Sequence, residues 1–416
     1  MRYLQMMRRF VALVSEPLRC NAPFFVFMYV LGCICAWATL PDVRGAHLYD
    51  NLFPELFLDV YMLALVLTLL PCRVRPWVRG IFYFILYVTA LVDVYCFVKF
   101  HSSLTPTMLL LVGETDTREA GEFLRSCVAP DILFSNVGWV VLLMFIHLLV
   151  TLQLRFPHFV PKNWCRLFWS LLDRFRLMFK RVRPVSQWAV LILLVVSTCY
   201  SVHNKAAFIK LMSGRTIGEV EHTLTEKDKA NLYQPIYRLA FSIYANTLTA
   251  KQVDRLVSRV DKVKVDSCSF RSPNIVLIIG ESYNRHHSAQ YGYSMPTTPR
   301  QQKLEKQGRL VKYTDVVSPW NLTSFVFKHI FSLYTVGDKG EWCDYPLFPA
   351  VFRKAGYHVT FITNQFLPKA GEAVYDFSGG FFLNNPKLSA AQFDTRNTKL
   401  HEFDEDLLKD YDELQG

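Results

Sequence analysis

The chain has 416 residues, of which 51% are apolar and 19% charged, and its formal net charge is +11. This length exceeds that of one ordinary domain, and so little charge is atypical of a soluble protein of this size. The basic excess lies mainly in the apolar half, with 19 Lys/Arg against 12 Asp/Glu in residues 1–201 and 27 against 23 in residues 202–416. This distribution argues against nucleic-acid binding and favours a membrane protein.

Five apolar segments approach the roughly 20 residues that a helix needs to cross a bilayer. They are residues 23–40, 56–70, 81–98, 132–154 and 188–202. Residues 1–202 are therefore predicted to form a transmembrane domain of five α-helices. An alternative interpretation of the first segment is a signal peptide, because Ala36-Trp37-Ala38 resembles a cleavage site. The four apolar segments that follow favour a retained helix.

The basic residues predict the orientation of these spans. Of the 19 Lys and Arg residues in residues 1–201, 15 lie before the first segment or in the loops after the second and the fourth. Loops rich in Lys and Arg stay in the cytoplasm. Five crossings from a cytoplasmic N-terminus then place residues 203–416 outside, which is the periplasmic side of the inner membrane in a cell with two membranes.

Two acidic residues, Asp59 and Asp93, lie within predicted spans. Ionisable residues at membrane depth are costly to bury and often functional. One interpretation assigns them to a lipid-headgroup site. The other, which we favour, pairs them with neighbouring helices or places them near the membrane interface.

A polar, helical linker is predicted at residues 203–265, after the last span. Within it, residues 234–248 have an amphipathic pattern, and the apolar stripe is formed by Ile236, Leu239, Ala240, Ile243 and Tyr244. Such a helix suits either the membrane interface or the surface of the outer domain, and the sequence leaves both open.

The final part of the chain, residues 266–416, is predicted to form an α/β domain. Residues 274–280 are a short apolar run rich in β-branched residues, typical of a strand buried on both faces of a parallel sheet. Further candidates are strands at 310–317 and 358–363 and a helix at 348–355 that ends at Gly356. In sheets covered by helices, chemistry collects at the carboxyl ends of the strands.

At that end of the first predicted strand lies Glu281, which is suited either to bind a metal or to begin the next helix. Glu281 is the middle residue of a short motif, Gly280-Glu281-Ser282. Two more motifs follow it, Tyr291-Gly292-Tyr293 and Thr297-Thr298-Pro299. Together they resemble the opening signature of the bacterial phosphoethanolamine transferases of the sulfatase and alkaline phosphatase superfamily. The resemblance covers nearly the whole chain. It implies a five-span membrane domain followed by a periplasmic sulfatase-like α/β domain.

The resemblance also implies a catalytic site. Glu281 matches a ligand of the catalytic zinc ion, and Thr323 matches a threonine that is both nucleophile and zinc ligand, with Ser324 as its nearest rival. A metal ion and a helix N-terminus both favour the ionised hydroxyl that such a reaction needs. The residues alone favour a simpler role for Thr323 as a helix cap, whereas the flanking motifs favour the nucleophile.

The implied reaction transfers phosphoethanolamine from phosphatidylethanolamine to a cell-envelope glycolipid, either lipid A or a core sugar of lipopolysaccharide, through a covalent phospho-threonine intermediate. Residues 114–120 resemble the family segment that binds the ethanolamine head, so Thr115 and Glu119 are implied substrate contacts. Leu111 departs from the family, which usually has an amide residue there. The alternative for this acidic stretch is an ordinary solvated loop.

Family members also carry a further His-containing strand and an Asp-His-Gly segment that complete the zinc site, and neither is present in the sequence. We therefore expect a C-terminally truncated family member. The motif Thr363-Asn364-Gln365 also resembles the family and is interpreted either as structural or as supporting the residues of the site. Two alternatives stay open, a phosphoglycerol transferase of the lipoteichoic-acid-synthase type and an inactive membrane-anchored remnant of the family.

Overall fold

The computed structural model describes residues 2–42, 44–106, 108–109, 130–155, 183–267, 272–280, 283–318, 323–364, 382–383, 385–397, 401 and 403–415. The chain divides into two compact units, one formed by residues 1–252 and the other by residues 253–366 and 378–416. The domain boundaries predicted at residues 202 and 265 stay predictions.

All the regular secondary structure described in the first unit is helical. Its helices are α1 (Arg2–Cys20), α2 (Ala22–Ala38), α3 (Leu52–Leu69), α4 (Arg75–Phe100), α5 (Pro130–Leu133), α6 (Val137–Arg155), α7 (Arg183–Leu211), α8 (Ile217–Thr225) and α9 (Pro235–Val260), which runs on into the second unit. Helix α3 packs against α1, α2 and α7, and helices α2, α4 and α6 pack against one another. Their shared core includes Phe24, Leu56, Val94 and Val140, all buried.

Three helices are long and apolar enough to cross a membrane, namely α3, α4 and residues Gln187–Leu211 of α7. Helices α1 and α2 form a pair bent by 71°, which passes the same test if it is counted as one span. The described residues thus hold three or four candidate spans, and the predicted five are not confirmed.

The helix at the predicted span 132–154 is shorter than predicted, and the reason is local. The apolar helix there is only Val137–Leu152. A turn separates it from α5, because the Ser135 hydroxyl accepts a hydrogen bond from the Val137 N–H at 3.2 Å. A side-chain oxygen that caps a new helix start in this way interrupts the preceding helix.

The acidic residue of α4, Asp93, is fully buried and pairs with Arg238 of α9. The guanidinium donates to both carboxylate oxygens, at 2.8 Å from Nε and 2.5 Å from Nη2, and the Leu104 N–H donates a third bond at 2.9 Å. A buried carboxylate is tolerated when its charge is paired and its lone pairs are satisfied. This pair therefore ties the start of α9 to α4.

A second acidic residue, Asp59 of α3, is paired with Lys205 of α7, whose Nζ lies 2.8 Å from Oδ1. Tyr233 and Tyr237 both donate their phenol hydrogens to its other oxygen. Burial, followed by the Asp59 charge, raises the pKa of both phenols, which keeps them protonated as donors. The structure therefore pairs the carboxylates of both predicted spans with protein partners, as the favoured interpretation expected.

The helix predicted at residues 234–248 is present in α9, but the predicted stripe is not its buried face. Of the stripe Ile236, Leu239, Ala240, Ile243 and Tyr244, no member is fully buried and Ile243 is 53% exposed. The buried side chains are Phe241, Ala245 and Leu248, which lie on the other side of the helix and pack in one cluster with residues of α8 and the end of α7. The prediction of which face is buried was therefore wrong.

The second unit is built from short elements. They are α10 (Pro299–Lys306), α11 (Thr323–Phe331), α12 (Phe348–Lys354), β1 (Thr360–Phe361), α13 (Pro386–Gln392), β2 (Thr395–Arg396) and α14 (Leu407–Gln415). Strands β1 and β2 are parallel, with Thr360 opposite Thr395. The core includes Phe331, Leu347, Phe382, Leu388 and Phe393.

The predicted α/β sheet is not confirmed in the described residues. The helix predicted at 348–355 is present as α12, and Gly356 follows it at a φ of +90°. The strand predicted at 358–363 is reduced to β1, and residues 274–280 and 310–317 have no strand partner among the described residues. Without neighbouring strands and covering helices, an apolar run gains nothing from an extended conformation. Ile278 and Val317 are accordingly 86% and 83% exposed.

We predict that substitutions of Asp93 and Arg238 have non-additive effects on stability, because the two side chains form a buried ion pair. Arg238→Met or Asp93→Asn alone leaves one buried charge unpaired and is expected to cost about 3–5 kcal/mol. The double variant removes both charges, keeps an acceptor for the Leu104 N–H and should recover most of that loss. Thermal unfolding of the detergent-purified protein measures the three variants. A double variant no more stable than the single variants would contradict the pairing.

Because the apolar runs 274–280 and 310–317 have exposed side chains, we predict that they tolerate charged substitutions. Ile278→Lys and Val317→Lys should each change the free energy of unfolding by less than about 0.5 kcal/mol, as surface substitutions do. Leu347→Ala, at a fully buried position, is the matched control and should cost about 2–5 kcal/mol. Urea unfolding of the purified variants gives the values. Losses at Ile278 or Val317 as large as at Leu347 would show that these runs are buried in a covered sheet.

Candidate active site

The segment that follows Glu281 folds into two 3-10 turns, Arg285–His287 and Ala289–Tyr291. Thr297 links the two turns through one hydroxyl group. It donates to the carbonyl of the first turn's last residue at 2.7 Å and accepts from the first N–H of the second turn at 3.0 Å. The first threonine of the Thr297-Thr298-Pro299 motif thus fixes the loop that leaves Glu281.

The rest of that motif continues the same arrangement. The Thr298 hydroxyl accepts from the Gln290 N–H at 3.1 Å. Pro299 is the first residue of α10, where its fixed φ and missing N–H suit a helix start. Gly292 adopts a φ of +97° after the second turn, a left-handed conformation that favours glycine. These motif residues have a structural role in shaping the loop.

The same loop is tied to the chain that leads towards Thr323. The contacts are hydrogen bonds from one segment's side chains to the other segment's carbonyl oxygens. They join Lys312 Nζ to Gln290 O at 2.9 Å, Tyr291 Oη to Tyr313 O at 3.1 Å, and Arg285 Nη1 to Thr314 O at 3.3 Å. Residues 285–291 and residues 312–314 therefore lie side by side.

Helix α11 is described from Thr323 to Phe331, and residues 319–322 before it lie outside the described part of the chain, so the helix start that the resemblance implies for the nucleophile stays a prediction. Its far end is anchored by Phe331, whose ring stacks on Phe348 with centroids 5.0 Å apart. The next residue, Ser332, donates its hydroxyl hydrogen to Trp342 O at 2.7 Å. The free N–H groups at a helix start favour negative charge nearby. The side chains of residues 323–325 lie outside the described part of the structure.

The other predicted site residues, Glu281, Thr115 and Glu119, also lie outside the described residues. Within the described ranges, no group of three or more His, Cys, Asp or Glu side chains could hold a metal ion. Glu281 and Thr323 alone offer two oxygen donors, fewer than the three or four protein ligands that zinc takes. The two residues therefore do not make a complete zinc site, and zinc binding stays a prediction.

At the carboxyl end of β1, Asn364 joins two distant parts of the second unit. Its side-chain amide donates to His401 O at 3.0 Å and accepts from the His401 N–H at 2.8 Å. It also donates to Asp404 Oδ1 at 3.0 Å. These reciprocal bonds fit the structural role inferred for the Thr363-Asn364-Gln365 motif.

Sequence reasoning missed a titratable pair next to this contact. His401 Nε2 lies 2.9 Å from Asp410 Oδ2, and both side chains are largely buried. Asn397 donates to the same carboxylate oxygen at 2.6 Å. The pair lies nine residues apart across the start of α14 and matches no short motif, so the sequence offered no signal for it.

A buried cysteine near α11, Cys343, is an unsuitable nucleophile. Burial, followed by the nearby Glu341 carboxylate, raises the pKa of its thiol to about 11 despite a contact with Arg255. At neutral pH it is therefore a protonated thiol, which is unreactive.

Comparison with known proteins gives one finding for the second half of the chain. The sulfatase family model matches residues 273–416. The match supports placing this segment in the sulfatase and alkaline phosphatase superfamily, whose members are generally enzymes and typically metal-dependent. Comparisons with curated proteins and with solved structures gave no match.

The contacts of this loop predict that the Thr298 hydroxyl group contributes to the stability of the protein. Thr298→Val keeps the side-chain shape but leaves the partly buried Gln290 N–H without its acceptor, which is expected to cost about 1–3 kcal/mol. Thr298→Ser keeps the hydroxyl and should cost clearly less. Urea unfolding of the two variants measures the difference. Equal losses would contradict the role assigned to this hydroxyl.

Proposed function

We propose that this chain, whose residues 273–416 match the sulfatase family, is a membrane-anchored transferase that moves phosphoethanolamine from phosphatidylethanolamine to a cell-envelope glycolipid such as lipid A or a core sugar. Three features support the proposal. They are the apolar helices of the first unit, the sulfatase match of the second, and the Tyr291-Gly292-Tyr293 and Thr297-Thr298-Pro299 motifs.

The observation that carries the proposal is the set of hydrogen bonds between residues 285–291 and 312–314. They hold residues 285–291, which follow Glu281 in the sequence, against residues 312–314, which precede Thr323. A carboxylate and a hydroxyl delivered by two adjoining segments suit a shared phosphate-binding site. Position is the main requirement for phosphoryl transfer, in which most catalysis comes from orientation and charge stabilisation.

In the proposed reaction, the Thr323 oxygen attacks the phosphorus of the lipid and forms a new O–P bond. The bond between phosphorus and the diacylglycerol oxygen breaks, and diacylglycerol leaves with the proton that Thr323 loses. An oxygen of the acceptor then attacks the same phosphorus, and Thr323 leaves with a proton. Two displacements replace one difficult step, and the N-terminus of α11 favours the negative charge that develops.

The proposed substrate contacts and location rest on the sequence. In the proposal, Glu119 supplies a negative charge for the cationic amine of ethanolamine, and Thr115 is its neighbour in the same segment. The distribution of Lys and Arg supports a protein of the inner membrane with its basic loops in the cytoplasm and residues 203–416 in the periplasm. Zinc is the proposed metal, with Glu281 and Thr323 among its ligands; when bound, it would lower the pKa of a hydroxyl group.

A labelling experiment tests the proposal. The protein, expressed from its complete reading frame, is incubated with zinc and headgroup-labelled phosphatidylethanolamine, and the labelled peptide is identified by mass spectrometry. We expect the label on Thr323, its loss in Thr323→Ala, and its retention in the matched control Ser324→Ala.

Three results would contradict the proposal. Label that survives in Thr323→Ala would exclude this nucleophile. Faster labelling from phosphatidylglycerol than from phosphatidylethanolamine would favour a phosphoglycerol transferase. The absence of label from both lipids with added zinc would indicate an inactive family member.

A further inference from the structure

Helix α1 carries an exposed apolar stripe. Its members are Tyr3, Met6, Met7, Phe10 and Leu13, all at least half exposed. They recur at the spacing of three and four residues that places side chains on one face of a helix. The stripe is uncovered by any described part of the chain.

The other faces of α1 have different characters. Val11 and Ser15 are buried on the side that packs against α3 and α7, and the Tyr61 hydroxyl of α3 donates to Val14 O at 2.9 Å. Arg8 and Arg19 are exposed at the edge of this same side, since residues 8, 11, 15 and 19 recur at spacings of three and four, and Arg9 is exposed between that side and the apolar stripe. Helix α1 is therefore fixed to the bundle with its apolar stripe and its arginines on different sides.

The bend between α1 and α2 is held by specific contacts. The two helices meet at 71°, and the fully buried Asn21 lies at the junction. Its side-chain amide donates to Ala64 O at 3.2 Å and to the Thr68 hydroxyl at 3.0 Å, both on α3. If α2 crosses a bilayer, a bend of this size directs α1 along the membrane surface.

The arginines of α1 indicate which kind of surface can cover its apolar stripe. Four arginines against one glutamate make α1 strongly basic, and its charges exclude it from the hydrocarbon core as a span of its own. An amphipathic helix with a basic polar face lies in the membrane interface, with its apolar stripe below the headgroups and its cations beside anionic lipids. We infer that α1 is an in-plane interfacial helix that binds anionic phospholipids of the cytoplasmic leaflet. This inference rests on the proposed membrane location and not on the proposed reaction.

Depth measurements on the full protein test the geometry. Trifluoromethyl-phenylalanine replaces Tyr3, Phe10 or Leu13, one at a time, in nanodiscs of phosphatidylethanolamine with phosphatidylglycerol. Relaxation of the ¹⁹F signal by dissolved oxygen, which partitions into lipid, is compared with relaxation by a water-soluble nickel chelate. Gln5, which is exposed off the stripe, is the aqueous reference, and Phe84 on the exposed face of α4 is the lipid reference.

An in-plane helix gives the same oxygen-to-nickel ratio at the three stripe positions, between the values at Gln5 and Phe84. A steady change from Tyr3 to Leu13 would overturn the inference, because it would mean that α1 crosses the bilayer. Protection of Phe10 from both reagents would also overturn it and indicate a protein partner or a second copy. A water-like value at Phe84 would instead refute the membrane location itself.

The role of the cations needs its own comparison. In the triple variant R8Q/R9Q/R19Q, we expect the affinity for phosphatidylglycerol, measured by native mass spectrometry, to fall about tenfold or more. The double variant K262Q/K264Q alters two exposed lysines beyond α9 and is the matched control, with unchanged affinity expected. Equal affinity in the triple variant and the control would overturn the assignment of anionic lipid as the ligand.

Discussion

The proposed active site depends on the hydrogen bonds that hold residues 285–291 against residues 312–314. Each of these bonds runs from a long side chain to a backbone carbonyl, and together they fix two loops that would otherwise be independent. Bonds of this kind contribute about 1 kcal/mol each to stability, but their directionality sets position. A nucleophile and a metal ligand delivered by separate segments need such a constraint, because an error of about 1 Å is costly in catalysis.

A different constraint organises the first unit. Carboxylates inside an apolar bundle must be paired, and the partners of Asp59 and Asp93 both come from sequence beyond the bundle's first four helices. Arg238 and the two tyrosines before it bring the start of α9 onto α3 and α4. The linker is thus anchored by charge at its first turn and by apolar packing along Phe241, Ala245 and Leu248.

Local patterns in the sequence predicted local structure well. The apolar lengths of α3, α4 and α7 and the helix at α12 with Gly356 behind it follow from residue spacing, whereas the buried face of α9 is not the stripe that its sequence predicted. The partner of Asp93 could not be predicted, because Arg238 lies 145 residues away and no spacing rule links them. His401 and Asp410 are only nine residues apart, but they match no short motif, so their contact gave no signal either.

The strands were predicted less well than the helices, and the reason is physical. A β-branched run such as 274–280 is compatible with a strand, but a strand exists only when neighbours supply its hydrogen bonds and cover its faces. That information is not local, and in the described residues only β1 and β2 are paired. For the candidate site, the motifs identified the loop that Thr297 and Thr298 shape, whereas the bonds from Lys312, Tyr291 and Arg285 became visible only in three dimensions.

The most direct test is a high-resolution structure of the protein expressed from its complete reading frame and prepared with zinc. We predict one zinc ion with a carboxylate oxygen of Glu281 and the hydroxyl oxygen of Thr323 both at about 2.0–2.2 Å, the usual zinc–oxygen distance. Zinc bound elsewhere, or side chains at 281 and 323 too far apart to share one ion, would contradict the proposed site.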